Sequence, residues 1–596
     1  MIIKKIIKLL SYKEKKQAVI LTIITLIMAI LDMIGVASIL PFLAVLISPE
    51  VIETNIIFSN LYSFLKFDTK NDFVFFLGLA SFILFVLSMI VKSLTTYLQL
   101  RFALFHEFKL SKLLIEGYLN QPYKWFLNRN SAEISKSILS EVSVVINGCL
   151  MPMIALITQL GVAVSIILLL ILVDPKISLI VGVFFILAYT ILYKSVSNYL
   201  HKIGTQRSKD NEQRFTIISE AFGAFKEIKA GGREEFFIGQ FIKPARSYAK
   251  NEARASIIRQ LPRYGLELIA FGGMLLIILN LISKDGNFID YIPIIALYIF
   301  AGYRLMPAIQ QIYSSLTQMK FVSPVLDSIY KDLSSLENKV KNINEKKIEF
   351  KKMLTLEKIS YTYPNESVPA IKNLNLEIPS KKKIGIIGRT GSGKTTTVDL
   401  ILGLLKPQSG FLKVDNLLIN DQNKRSWQSS IGYVPQQIYL SDDTIAANIA
   451  FGINKNQINY KTIQEVAKIA NLHKFVTKDL KNGYQTIVGE RGIKLSGGQR
   501  QRIGIARALY HKPELLIFDE ATNALDNITE KIVLDSIKKI ENNITIIIIA
   551  HRLNTVRNCD NIFLFEKGNL IAQGSHDKLI KNNSFHNMLK ANEIVT

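Results

Sequence analysis

The chain has 596 residues, 49% of them hydrophobic, and a formal net charge of +24. Long apolar runs crowd the first half, which excludes a soluble protein, and the lysine excess then belongs beside anionic lipid headgroups rather than on nucleic acid. Cys149 and Cys559 stand far apart without metal-ligand spacing and read as ordinary thiols.

The first sixteen residues carry Lys4, Lys5, Lys8, Lys13, Lys15 and Lys16 against Glu14. Apolar runs follow near 17–47, 73–99, 149–173, 176–198, 265–283 and 288–313. Each approaches or exceeds the roughly 20 residues that cross a bilayer as helix, so the simplest count is six spans. The run 17–47 is too long for a signal-peptide core and lacks a small-residue cleavage site, so it belongs to the mature protein. The loop after it sets Glu50, Glu53, Asp68 and Asp72 against Lys66 and Lys70. The positive-inside rule therefore puts the N-terminus, and after six spans the C-terminus, in the cytoplasm. So early a first span leaves no room for a preceding protease domain.

The inward connections, 100–148 and 199–262, are long and polar with helical periodicity, and extend the spans into the cytoplasm. Their tips, "NQPYKWFLNRN" (120–130) and "AFGAFKEIKAGGREEFF" (221–237), mix aromatics with charges and suit contact with a cytoplasmic partner. In the last span Arg304, Gln311, Ser315 and Gln318 follow at spacings that share one helical face. Lys92, Arg259 and Arg263 belong at a similar or shallower depth on the cytoplasmic side. Such cations suit a doubly charged headgroup; the alternatives are snorkelling to the interface, or for Arg304 an ion pair with Asp32 in span one.

Residues 1–335 thus form a transmembrane domain, and the charged stretch 336–352 a linker. From 353 to 596, short β-branched runs alternate with helical segments, the pattern of an α/β domain with a largely parallel sheet. "KIGIIGRTGSGKTTTVDLILGLL" reads as strand, glycine-rich loop and helix, with G-x-x-x-x-G-K-T at 388–395. The amides of Gly388, Arg389, Thr390, Gly391, Ser392 and Gly393, continuing to Thr396, can wrap phosphate. Lys394 neutralises its oxygens, and the Thr395 hydroxyl can ligate Mg²⁺. "ELLIFDEATNALD" (514–526) delivers Asp519 to the metal and Glu520 to the attacking water. In "LSGGQRQRIGIARAL" (495–509), Ser496, Gly497, Gly498 and Gln499 open a helix whose N-terminus can face a γ-phosphate.

That last stretch resembles the signature sequence of ATP-binding-cassette (ABC) proteins. The resemblance implies ATP and Mg²⁺ as cofactors, Tyr363 in "YTYP" stacking adenine, and Gln436 in "YVPQ" as a metal and water contact. It also implies "TIVGERG" (486–492) as an exporter loop and His551 in "IIIIAHR" as the switch histidine. Asn523 departs from the serine usual after the acidic pair. Over the whole chain the resemblance is to half-size exporters, which implies a membrane α-helical type IV ABC exporter fold followed by an α/β P-loop nucleotide-binding domain. One loop motif and one signature per chain then imply a homodimer with two shared sites, coupled to the spans through the tips at 120–130 and 221–237.

"YRLMPAIQQI" and "AILDMIGVASILPF" further resemble PglK-type flippases for lipid-linked oligosaccharides. This implies that Arg304 handles the lipid pyrophosphate and that 51–67 forms a short external helix. The expectation is a homodimeric, ATP-hydrolysing flippase or exporter of a polyprenyl-pyrophosphate-linked glycan or similar anionic lipid in a bacterial inner membrane. The runner-up is an exporter of lipid A, drugs or peptides; from a different class, a non-transporting ATPase regulator.

Overall fold

The computed structural model describes residues 2–173, 175–282, 288–336, 347–364, 366–521, 529, 532–533, 535–536, 544–550 and 553–580. They fall into two compact units, Met1–Gln121 with Asn128–Lys339, and Pro122–Leu127 with Val340–Thr596.

The first unit is helical. A short α1 (Ile2–Leu9) precedes α2 (Tyr12–Ala37) and α3 (Ile39–Ile47), which together cover the first apolar run. α4 (Val51–Thr54) and α5 (Ile56–Phe64) occupy the expected external stretch. Their inner face joins a cluster with Val45, Ile52, Phe73 and Leu77, whereas Ile56, Ile57 and Phe64 stay exposed. α6 (Lys70–Leu119) starts where the Thr69 hydroxyl accepts the Asp72 amide, a side-chain cap for one of the orphan donors of a helix start. α7 (Tyr123–Phe126), at the first tip, is counted with the second unit. The helical run 131–173 comprises α8 (Ser131–Lys136), α9 (Val142–Val145) and α10 (Met151–Val173), joined through π-helical turns at Ser137–Glu141 and Ile146–Leu150. α11 (Pro175–Gly223), α12 (Phe225–Gly231) at the second tip, α13 (Glu234–Ile282) and α14 (Phe288–Ser335) complete the unit.

Lipid supplies no hydrophobic drive between helices, so close packing of small residues holds them together. Ala29, Ala163, Ala301 and Ala308 are fully buried where α2, α10 and α14 meet. On α11, Gly204 lies so near α14 that a Cβ would stand 2.0 Å from the Phe321 carbonyl oxygen. Toward the tips, Lys136 is buried between Glu141 at 3.2 Å and Glu212 at 3.1 Å, and Arg207 meets Glu252 at 2.9 Å.

The second unit is α/β. β1 (Met353–Tyr361), β2 (Ile371–Pro379), β4 (Ser409–Val414) and β5 (Leu417–Leu418) form an antiparallel sheet in the order β2-β1-β4-β5. β3 (Lys383–Gly388), β6 (Ile431–Val434), β7 (Leu515–Asp519), β8 (Thr545–Ile549), β9 (Asn561–Glu566) and β10 (Asn569–Gly574) form the second, β10-β9-β3-β8-β7-β6. It is parallel except for edge strand β10. Its central strands are apolar throughout because both faces are covered. Leu515 and Ile517 pack toward the antiparallel sheet and the buried Trp427, while Leu516 and Phe518 pack toward the helices.

The linker expected at 336–352 lies outside the described residues at 337–346, but its end is docked. Asp415 accepts the amides of Lys351, Lys352 and Met353 at 2.7–2.8 Å, and the Ser430 hydroxyl donates to the Ile348 carbonyl.

Candidate functional site

In the parallel sheet β3, β8 and β7 are neighbours, with Ile386 beside Ile549 and Ile549 beside Asp519, so their C-terminal ends form one edge. Ligands of open α/β sheets bind beyond such an edge. The loop 389–393 leaves β3 there and runs into α15 (Lys394–Ile401). Gly393, the residue before the helix, has φ +101°, and a Cβ on it would meet Ile371 at 2.7 Å and the Ala370 carbonyl at 2.9 Å. Only glycine fits both the left-handed backbone and that gap.

Lys394 is buried, and its ammonium donates to the carbonyls of Gly388 at 2.8 Å and Arg389 at 3.1 Å. The side chain thus curls back over its own loop. Burial pushes its pKa down, against the charges of Glu520 and Asp519, which push it up. The Ser392 hydroxyl is buried without a hydrogen-bond partner among the described residues. A buried orphan hydroxyl and a glycine-lined cradle fit a bound phosphate. Thr395 is exposed at the helix start. Tyr363, expected to stack adenine, packs edge-on to Tyr361 and holds its hydroxyl 3.2 Å from that of Thr396.

From the next strands come the acids. Asp519 ends β7, buried, and accepts the Tyr433 hydroxyl at 3.1 Å. Glu520 follows with φ +52°, a left-handed backbone that turns its carboxylate out of the strand. Gln436 donates to that carboxylate at 2.8 Å. The loop lysine, both acids and the glutamine therefore converge, and Thr395, Asp519 and Gln436 supply the oxygen donors that suit Mg²⁺.

Ser496 caps α16 (Gly497–Tyr510) as a capping box: its hydroxyl accepts the Gln499 amide at 3.2 Å, and Gln499 Oε1 accepts the Ser496 amide at 2.8 Å. These residues bond to one another, and no hydrogen bond among the described residues joins them to the loop of Lys394. Arg389, Thr390 and Gly391 lie in the loop between β3 and α15, and Gly498 in the first turn of the helix that Ser496 caps. His551 and Asn523 lie outside the described residues.

Sequence reasoning missed two residues. Tyr433 stands on β6 beside Ile517 of β7, two positions before the acid it bonds; the signal was its place in "YVPQ". Asp399, on the buried side of α15, is pushed up to about 6 by burial and by the charge of Asp519.

In the membrane unit the four expected cations have different settings. Arg304 Nη1 lies 3.0 Å from Asp32 Oδ1, and Asp32 is buried and accepts the Ser88 hydroxyl at 3.1 Å. This is the ion pair named as the alternative for Arg304. Arg263 pairs with Glu267 one turn away at 2.7 Å. Arg259 donates to the Ser256 hydroxyl at 2.7 Å, while its Nη1 is buried and unpartnered among the described residues. Its carbonyl accepts from Gln310 at 2.7 Å. Lys92 is half-buried, with no side-chain hydrogen bond or ion pair among the described residues. The Ser315 hydroxyl and Gln318 Oε1 are likewise buried without partners there, whereas Gln311 is exposed.

Residues 18–301 match the family described as "ABC transporter transmembrane region", and residues 371–523 the family "ABC transporter". An "ATP-dependent lipid A-core flippase" of Cupriavidus pinatubonensis is 26% identical over 80% of this chain and 81% of its own length. The "Leukotoxin translocation ATP-binding protein LktB" of a Pasteurella haemolytica-like species is 34% identical over 63% of this chain; the match spans 52% of that protein. Among solved structures, a bacterial Atm1-family ABC exporter with ATP bound superimposes with a TM-score of 0.78, covering 97% of this chain and 98% of that one at 21% identity.

Proposed function

We propose that this chain, which has the type IV ABC exporter fold, hydrolyses ATP to move an anionic lipid-linked cargo across a bacterial inner membrane, working as a homodimer. The observation that carries the motor is the convergence of Lys394, Asp519, Glu520 and Gln436 at one sheet edge. Thr395, Asp519 and Gln436 would hold Mg²⁺, which when bound neutralises charge on the transferring phosphoryl group. Lys394 leaves the loop carbonyls to bind phosphate oxygens, and the Ser392 hydroxyl and glycine amides complete the cradle. Glu520, held by Gln436, orients and polarises the water. Ser496 and its helix N-terminus serve the partner subunit's nucleotide, and His551 the γ-phosphate.

For cargo, the support is chemical. Among the described residues, Arg259 and Lys92 are the two of the four cations without a salt bridge to a carboxylate, and a guanidinium fork suits a pyrophosphate. A polyprenyl-pyrophosphate-linked glycan meets that demand. The test is native mass spectrometry of lipids retained on the purified protein, followed by ATPase assays with those lipids. Retention of neutral lipids only, with no stimulation by any phosphorylated lipid, would refute the cargo reading.

The second reading is an exporter of lipid A or of a polypeptide toxin, and it is favoured by the names of the relatives. The same mass spectra separate the two. An ATPase deaf to every lipid and peptide, with no translocation in vesicles, would instead indicate a regulator.

A further inference from the structure

The helical stem that follows the first tip is not plain α-helix. Lys136 and Glu141 are both buried and lie 3.2 Å apart, yet they stand five positions apart in sequence. On an α-helix, neighbours on one face are three or four residues apart, and a fifth falls about 140° round the axis. The pair closes because Ser137–Glu141 is a π-turn, whose bonding from i to i+5 brings residue i+5 back to the face of residue i. Such a turn holds one residue more than an α-turn. Here Leu139, 77% exposed, is pushed outward. Neighbouring helices brace the turn: Ser111 on α6 donates to the Ile138 carbonyl and Asn211 on α11 to the Ser140 hydroxyl, both at 3.4 Å.

The charges around it provide for two partners of Glu141, not one. Glu141 Oε1 takes Lys136 and the Ser208 hydroxyl at 3.3 Å, but Glu141 Oε2 is buried with no hydrogen bond among the described residues. Arg207, beside Ser208 on α11, donates through Nε to Glu252 and through Nη2 to the Tyr248 hydroxyl, each at 2.9 Å on α13. Its Nη1 is likewise buried and unpartnered among the described residues, and its charge already acts on Glu141. Lys136 has a second carboxylate in Glu212 at 3.1 Å. If Glu141 passes from Lys136 to Arg207 Nη1, every charge keeps a partner and the two orphan atoms find each other.

We infer that the Ser137–Glu141 turn is a two-register switch in which Glu141 exchanges Lys136 for Arg207. The extra residue supplies the slack, since a π-turn that moves along a helix rotates each residue it passes by about 100° and advances it about 1.5 Å. The second π-turn, Ile146–Leu150, bounds the travel: a Cβ on Gly148 would stand 2.5 Å from Val322 on α14, so the chain is wedged there. Glu141 and Arg207 are thus positioning residues of the stem. Use of the switch by the ATP motor rests on the function proposed above.

The test reads hydrogen–deuterium exchange over residues 137–145 of the full-length protein in nanodiscs, with and without a non-hydrolysable ATP analogue and Mg²⁺. Lys136→Gln removes the present partner, so exchange there should quicken without nucleotide by about ten- to a hundred-fold, the factor set by one charge-assisted hydrogen bond. Deleting Leu139 turns Lys136 and Glu141 into an i, i+4 pair on a regular α-helix with both flanks in phase. That variant should exchange slowly with or without nucleotide, with its melting temperature unchanged or raised. Wild type should match it without nucleotide and move toward Lys136→Gln with the analogue bound. Exchange in Lys136→Gln as slow as in wild type, or a nucleotide response that survives deletion of Leu139, would overturn the switch and leave a static turn. A turn that answers Lys136→Gln but not the analogue upholds the switch and refutes its use by the motor.

Discussion

Arg304 and Asp32, 272 residues apart, form an ion pair at 3.0 Å in which the acid is buried, the arginine half-buried, and Ser88 supplies a further hydrogen bond to the carboxylate. Removing one member of such a pair strands the other charge and costs about 3–5 kcal/mol. Arg304→Ala should therefore destabilise the protein and reduce transport. Adding Asp32→Asn should restore both, read by thermal unfolding in detergent and by lipid flipping in vesicles. A stable double variant that still fails to flip lipid would return Arg304 to cargo binding.

Glu520→Gln keeps the shape at the Gln436 contact but loses the carboxylate that polarises water. ATP turnover should fall by about 10²–10⁴-fold while ATP binding persists, measured by phosphate release and by nucleotide filter binding. Hydrolysis within a few-fold of wild type would show that another group is the base.

Shared sites can be tested by complementation. Lys394→Ala and Ser496→Arg should each abolish hydrolysis in homodimers, whereas mixed dimers hold one doubly damaged and one intact site. Part of the activity should return on mixing during co-expression. None returning, with mixed dimers verified by differential tags, would argue that each site is complete within one chain.

Glu14 carries an acid signature. Burial alone would raise its pKa, but His106 and the Ser11 amide and hydroxyl hold it down at about 2, below its ordinary 4.5. A depressed carboxylate stabilises the fold above its unfolded pKa and loses that contribution as pH falls toward the folded one. The melting temperature should thus drop between about pH 4.5 and 2, and Glu14→Gln should be less stable at neutral pH but flatter across that window. Parallel curves for the two proteins would refute the linkage.

Gly204→Ala forces a methyl against the Phe321 carbonyl at the crossing of α11 and α14. Overpacking of this kind costs about 1–3 kcal/mol, so thermal unfolding should shift down without loss of nucleotide binding. An unchanged melting temperature would mean that the crossing relaxes freely.

Much of the nucleotide site was legible because its chemistry is local: phosphate cradle, acidic pair and capped helix each occupy a short contiguous stretch. What was not legible depends on pairing across strands. Tyr433 reaches Asp519 only because β6 lies beside β7, and Gln436 reaches Glu520 because Glu520 leaves the strand with a left-handed turn. In the membrane half, helical periodicity identified the polar face of the last span. It could not choose between a cavity and Asp32 as the partner of Arg304, since that depends on how α2, α6 and α14 are rotated against one another. The two π-helical turns near Lys136 and Glu141 likewise left no mark in the apolar pattern.

The left-handed backbone of Glu520 bears on how this site tolerates change. A non-glycine residue held there costs of order 1–3 kcal/mol, and a β-branched one more. Glycine or asparagine at 520 would relax the turn, giving a sturdier protein with no water-activating carboxylate. Stability and turnover therefore pull this one position in opposite directions, and a selection for heat resistance that ignored ATP hydrolysis should drift toward glycine there first.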